Sequence, residues 1–366
     1  MDIDFFKNDT KTSDGFFVDL CYECFLGRKS DIEGRRNAVA ALKHGMSRLD
    51  FIKSLVSSSE YYTKLVAILQ VGAKLPNLRD MQPERYKWSK NCYNDDKTLV
   101  LYVKNSIDYD WVETMIIENG YYETGGVWSF AIDVDKHLIA EIVSRFNVSC
   151  FLEIGCSTGS VLKLLDEKKI YGEGTEISHS ALANCYQSIR QRIHYGDILK
   201  LNLDSKYDLI LGMDVFEHLN PNKIASYVER CYNLLSDSGF IFANIPSFGE
   251  DPIFGEIFPI YLEDWVHESE FSGLFSLLPV DEYGWPLHGH LIWATTSWWQ
   301  KVFENSGFKR EEEIEKALHG IYDTFMKQNA PARMSFYVFS KNLNGSTHLE
   351  NIVNSIKLNY SDFTKL

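Results

Sequence analysis

The chain has 366 residues, 45% of them hydrophobic and 24% charged, and carries a formal net charge of −14. That acidity argues against a nucleic-acid partner, whose phosphates need basic faces. No run approaches the roughly 20 apolar residues of a membrane span, and the length exceeds a typical single domain, so two structural units are expected.

The N-terminus, Met1-Asp2-Ile3-Asp4-Phe5-Phe6, is acidic and lacks a secretory signal. With an odd count of seven cysteines, this points to a reducing, cytoplasmic setting. Residues 1–73 read as a helical unit. Phe16, Phe17, Leu20, Cys21, Cys24 and Phe25 suit one helix, Ala38, Val39 and Leu42 a second, and Ser47 with Asp50 a capped start of a third. Cys21-x-x-Cys24 has no second pair or histidine at zinc spacing, so its cysteines are expected as small apolar core residues. The Leu26-Gly27-Arg28 turn and the Ser58-Ser59-Glu60-Tyr61-Tyr62 ending resemble a small all-helical domain of unknown function found on bacterial surface proteins and glycan-modifying enzymes. That resemblance implies docking or homo-oligomerisation rather than chemistry. Residues 74–110, rich in Pro76, Asn77, Pro83, Asn91, Asn94, Asp95 and Asp96, read as a linker.

An alternating strand–helix array follows within a domain expected over 111–345. A strand ending at Phe151-Leu152-Glu153-Ile154 breaks into Gly155-Cys156-Ser157-Thr158-Gly159, and an amphipathic helix through Val161, Leu162, Leu164 and Leu165 comes next. The two glycines permit a tight turn that a ligand can approach. A phosphate-cradling loop favours backbone N–H groups and often a lysine. This turn has no base and one acid, Glu153, and so suits a nucleoside whose other end is cationic. A second strand ends at Glu176-Ile177-Ser178, about 20 residues on, the spacing of a ribose-binding carboxylate. Gly196-Asp197-Ile198 ends a third, with Asp197 placed for an adenine amine. Asp208–Met213 forms a fourth, followed by Asp214-Val215-Phe216-Glu217-His218-Leu219. A helix through Ile224, Tyr227, Val228, Cys231 and Leu234 is expected to stop at Ser238-Gly239, before a strand over Phe240–Ile245.

Glu153-Ile154-Gly155-x-x-x-Gly159, Glu176-Ile177-Ser178, Gly196-Asp197-Ile198 and Glu217-His218-Leu219, in that order, resemble the class I S-adenosylmethionine-dependent methyltransferases. The resemblance implies an α/β, Rossmann-like sheet, mostly parallel with its last strand antiparallel and helices on both faces. S-adenosylmethionine is the implied cofactor, becoming S-adenosylhomocysteine. Its binding would fall to Glu153, Gly155, Cys156, Ser157, Gly159, Glu176, Ile177, Asp197, Ile198 and Met213. Many relatives carry a third glycine in the first turn, where this chain has Cys156-Ser157-Thr158. The absent G-x-G-x-x-G pattern lowers a nicotinamide-dehydrogenase alternative. In this fold residues just upstream of the first strand often cover the cofactor, and Tyr122 and Trp128 are candidates, although plain aromatic packing explains them equally well.

Residues 247–295 form a long insertion, expected as a lid. Its rings, among them Phe248, Phe254, Phe258, Tyr261, Trp265, Phe271, Phe275, Tyr283 and Trp285, suit either stacking on a sugar or a mini-core of the insertion itself. Lys309-Arg310 and Ser335–Ser340 supply a terminal antiparallel pair, and residues 346–366 a tail containing a short helix. His218, after the fourth strand, is the expected general base and His290 the second choice, with His288 beside it; a helix-capping role is the structural alternative for His218. Asp214, Glu217, His218 and a later histidine could gather a metal, but no metal is adopted. The resulting expectation is O-methylation of a sugar or glycan precursor in polysaccharide biosynthesis. Alternatives are N- or C-methylation of another small metabolite, or a non-catalytic scaffold keeping a nucleoside pocket.

Overall fold

A computed structural model describes residues 13–26, 28–56, 58, 61, 75–123, 130, 132–331, 333–341 and 345–358. They divide into two compact units, Met1–Lys74 and Leu75–Leu366.

In the first unit α1 (Asp14–Leu26), α2 (Ile32–Lys43) and α3 (Arg48–Val56) enclose Phe17, Val18, Cys21, Leu26, Ala38, Phe51 and Leu55. Asp31 caps α2 by accepting from the Gly34 N–H at 2.7 Å, and Ser47 caps α3 by accepting from the Asp50 N–H at 3.0 Å. The close cysteine pair divides: Cys21 lies in the core and Cys24 is exposed. Gly27, Ser59, Glu60 and Tyr62 of the two motifs lie outside the described residues.

The second unit is built on seven strands. In chain order these are β3 (Cys150–Ile154), β4 (Tyr171–Glu176), β5 (Ile193–Tyr195), β6 (Tyr207–Met213), β7 (Leu235–Asn244), β11 (Lys309–Arg310) and β12 (Phe336–Ser340), the intervening numbers belonging to strands outside this sheet. Their spatial order is β11-β12-β7-β6-β3-β4-β5. β3 to β7 run parallel, and β12 is antiparallel to both of its neighbours. Phe151, Leu152, Leu209, Ile210 and Leu211 are fully buried, as strands covered on both faces must be. One face packs α5 (Val134–Arg145), α6 (Ser160–Glu167), α11 (Glu312–Asn329) and α12 (Ser346–Leu358); the other packs α8 (Ile224–Leu234) and α10 (Thr296–Asn305). The helix stop expected at Ser238-Gly239 falls elsewhere. α8 ends at Leu234, β7 starts with the next residue, and the register shifts between Tyr207 and Leu209 to absorb the extra chain.

The linker expected over 74–110 is not found among the described residues 75–110. β1 (Tyr86–Lys90) and β2 (Lys97–Tyr102) form an antiparallel hairpin, and β2 also pairs with β10 (Leu277–Pro279) from the long insertion. Polar turn residues 91–96 masked the hairpin, and its second partner lies some 175 residues away in sequence. α4 (Ser106–Glu118) and α9 (Glu263–Phe271) join Leu99, Leu101, Val112, Phe248, Trp265, Phe275 and Trp293 in a shared core. Trp265 stacks on Phe275 with ring centroids 4.5 Å apart and donates to the Leu277 carbonyl at 2.9 Å. The insertion's rings do not form a core of their own: most pack in this core shared with β2 and α4, and Phe254 packs in the core of the main sheet. Among those nine rings only Phe271 and Tyr283 are largely exposed. The insertion has a small hairpin of its own, β8 (Glu250–Asp251) paired with β9 (Gly255–Glu256), and Asp251 ties it to the sheet edge. Buried Arg310 donates to both oxygens of Asp251 at 2.8 and 3.1 Å and to Glu315 at 2.8 Å.

Candidate functional site

Parallel strands end in turns on one edge of the sheet, and that edge collects the candidate residues. After β3, Gly155 and Gly159 take positive φ of 66° and 75°. A Cβ at Gly155 would lie 2.8 Å from Val215, and one at Gly159 would lie 2.4 Å from Ile189, so both positions need glycine for conformation and for space. Ser157, between them, also has positive φ, at 50°. Cys156 turns its thiol into the core against Gly174, leaving its main chain toward the turn.

Glu176, at the tip of β4, accepts from the backbone N–H groups of Ser157, Ile177 and Ser178 at 2.7, 2.7 and 2.8 Å. One carboxylate thus ties the glycine turn to the loop after β4. Burial still raises its pKa against those three donors. Glu153 is buried one strand away. Burial pushes its carboxyl up to about 8, with Arg333 pulling the other way, and its Oε2 has no hydrogen-bond partner among the described residues. Asp197 accepts from the Leu199 N–H and from the Tyr227 hydroxyl, both at 3.0 Å. Met213 is half-buried, Ile177 exposed and Ile198 buried.

At the end of β6, Asp214 has φ of 54° and is held by Arg333 at 3.0 Å and by the Asn244 side chain. The next turn gathers Glu217, His218 and His290, with ligand-capable atoms all within 4.8 Å of one another. Glu217 is completely buried, and neither of its carboxylate oxygens accepts a hydrogen bond from the described residues. Its pKa is pushed upward by burial and by Asp214. Burial lowers His218 to about 4 and lowers His290 as well, the latter helped by His218 itself. Both rings are therefore neutral near pH 7. They meet edge to face at 4.7 Å, and the Tyr122 hydroxyl lies 3.5 Å from His218 Nδ1. His288, the alternative, adopts φ of 58° and lies outside this cluster.

The expected residues thus sit on one sheet edge in three groups: Glu153, Glu176 and the glycine turn; Asp197; and His218 with His290. Sequence reading missed three contributors. Glu123 accepts from the His179 and Ser180 N–H groups, both at 2.7 Å, and fastens the segment before β3 to the loop after β4. Arg333 pairs with Asp135 at 2.5 Å as well as with Asp214. Tyr227 holds Asp197. Chain distance hid all three, whereas Glu217 is read from its motif as a candidate metal ligand. Trp128 lies outside the described residues.

Residues 152–241 match a family described as a methyltransferase domain, and residues 3–65 match a domain of unknown function, DUF4214. A malonyl-[acyl-carrier protein] O-methyltransferase of Priestia megaterium is 26% identical over 155 residues, covering 39% of this chain and 53% of that protein. The chain therefore spans about half the length of this curated relative. Among solved structures, a 1,6-didemethyltoxoflavin-N1-methyltransferase of Burkholderia thailandensis is 13% identical with a TM-score of 0.41, covering 69% of this chain and 97% of that one. An S-adenosylmethionine-dependent methyltransferase of Clostridium acetobutylicum is 15% identical with a TM-score of 0.33, covering 49% and 82%. Among the described residues no helix is long and apolar enough to cross a membrane.

Proposed function

We propose that this chain, whose residues 152–241 match a methyltransferase domain, is a class I S-adenosylmethionine-dependent methyltransferase that transfers the methyl group of that cofactor to a hydroxyl of a sugar or glycan precursor. The observation that carries the reading is the row of acids at successive strand ends, Glu153, Glu176 and Asp197, beside two neutral imidazoles. In this reading Glu176 accepts from the ribose hydroxyls and Asp197 from the adenine amine. Glu153 faces the cationic methionine end, with the Gly155–Gly159 turn against it. Met213, Ile177 and Ile198 flank the adenosyl group.

The acceptor's oxygen attacks the sulfonium methyl in line. A C–O bond forms, the C–S bond breaks, and its electron pair stays on sulfur. The sulfonium already makes a good leaving group, so positioning supplies most of the acceleration. His218 then takes the proton. With its pKa lowered to about 4, it is a weak base, but an alkylated oxygen is a far stronger acid, so the proton moves as the methyl arrives. The Priestia relative is named as an O-methyltransferase, and the N-terminal resemblance to glycan-modifying proteins supports a sugar acceptor, with homo-oligomer formation or docking assigned to the helical unit. The buried insertion aromatics lend no support to a sugar-stacking lid. Action in the cytoplasm on a polysaccharide precursor belongs to the same reading.

The experiment is transfer of a labelled methyl group into pooled sugar nucleotides and glycans of a cell extract, with S-adenosylhomocysteine release measured alongside. Label in an O-methyl sugar supports the proposal. Label in an amine or at carbon moves the acceptor class, and cofactor binding with no release for any acceptor indicates a scaffold. Glu176→Ala should weaken cofactor binding at least about tenfold by calorimetry, because hydrogen bonds to a charged acceptor contribute about 1.5–3 kcal/mol. Unchanged affinity would assign the ribose to another residue.

A further inference from the structure

We propose that Glu217, His218 and His290 form a binding site for a divalent first-row transition cation. His218 Nε2 and His290 Nε2 lie 3.9 and 3.8 Å from the same oxygen, Glu217 Oε1. Glu217 is fully buried with both carboxylate oxygens unpartnered among the described residues, and a carboxylate is costly to bury in that state unless a cation meets it or it takes up a proton.

The surroundings hold the three groups in place. The Leu291 and Ile292 N–H groups both donate to the Glu217 backbone carbonyl at 2.9 Å, which bolts the chain carrying His290 onto the turn carrying His218. Gly289 has φ of 69°, and a Cβ there would lie 2.9 Å from the Tyr121 ring and 3.1 Å from His218 Nδ1, so only glycine allows this approach. The Tyr122 hydroxyl faces His218 Nδ1 at 3.5 Å, leaving Nε2 toward the ion, the outer contact that orients ligating histidines. Asp214, the expected companion ligand, is already taken up by Arg333 and Asn244. His290 completes the set instead.

Two imidazoles and one carboxylate favour manganese, iron, cobalt or zinc over magnesium or calcium, which prefer oxygen ligands. Metal bonds of about 2.0–2.2 Å set the ligand atoms of a tetrahedral site about 3.4 Å apart, so each histidine nitrogen would close on Glu217 Oε1 by about 0.5 Å. The site deepens the proposed function and rests on it. The ion binds the acceptor oxygen and acidifies it, its proton passes to water, the oxygen takes the methyl carbon, and the C–S pair remains on sulfur. Activation, assigned above to His218 alone, then belongs to the ion and His218 becomes a ligand.

The test uses the full chain, stripped with EDTA and titrated with Co²⁺, which reports coordination through its visible absorption. One equivalent should bind, and His218→Gln and His290→Gln should each weaken it at least about tenfold. S-adenosylhomocysteine affinity should stay within about twofold, with unchanged circular dichroism showing that the variants fold; Glu217→Gln provides a third variant should either fail to. The proposal is overturned if neither Co²⁺, Zn²⁺ nor Mn²⁺ binds in stoichiometric amount, or if Co²⁺ binds the folded variants as tightly as the parent. Full methyl transfer in EDTA would remove the ion and leave the transfer reading intact. Failure of S-adenosylhomocysteine to bind would remove the transfer reading, whatever the ion does.

Discussion

His218→Ala should reduce kcat for O-methyl transfer by about 10²–10⁴, the range for loss of a positioned acid–base group, while leaving S-adenosylhomocysteine affinity near the parent value. The two effects separate because His218 follows β6, whereas the acids assigned to the cofactor lie at the ends of β3, β4 and β5 and β6 contributes only the apolar Met213. Its ring contacts His290 and Tyr122, and the cofactor-side acid Glu176 is held by backbone donors elsewhere. Steady-state turnover with calorimetry on the same preparation provides the check. A variant that methylates at the normal rate would make His218 a structural residue, filling space beside Gly289 and Tyr122.

Arg310→Leu should lower unfolding free energy by about 3–5 kcal/mol, the cost of removing one partner from a buried ion pair. Arg310 is 6% exposed, and its guanidinium is the shared partner of Asp251, 3% exposed, and Glu315, fully buried. It also lies over the Tyr337 ring at 4.9 Å. Leucine fills much of the volume but leaves two carboxylates facing each other without a cation. Burial already raises the Glu315 pKa with arginine present, so Glu315 would be driven further toward protonation. Asp251 begins the insertion, so the loss should loosen its attachment to the sheet edge. Urea unfolding of the full chain measures the change, and a loss below about 1 kcal/mol would show that solvent reaches the cluster.

The parallel core was legible because each of its elements announces itself locally. Strands buried on both faces read as apolar runs, the glycine turn marks the end of β3, and carboxylates mark the ends of β4 and β5. The accessory sheet was not legible in the same way. β2 contains the apolar run Leu99-Val100-Leu101, but its partner Leu277-Leu278 lies in an insertion whose register no local pattern fixes. The aromatic rings of that insertion have one composition whether they meet a sugar or one another; only burial separates the two, and it places most of them in the core. Within the site, single acids were visible from spacing, whereas Tyr227 against Asp197 and Glu123 against the loop after β4 depend on chain crossings. His290 was visible as a histidine, but its meeting with Glu217 depends on two backbone hydrogen bonds from Leu291 and Ile292.

Calorimetric titration of S-adenosylmethionine, repeated between pH 6 and 8 in buffers of different ionisation enthalpy, tests the central claim most directly. The Glu153 carboxyl, pushed up to about 8 by burial, is largely protonated in the free protein at pH 7. A cation bound beside it favours the ionised form, so binding should release a proton and tighten as pH rises, by up to about tenfold per unit below that pKa. One equivalent bound with proton release is the predicted result. No binding, or pH-independent binding without proton release, would contradict a cationic adenosyl donor held by the acids at these strand ends.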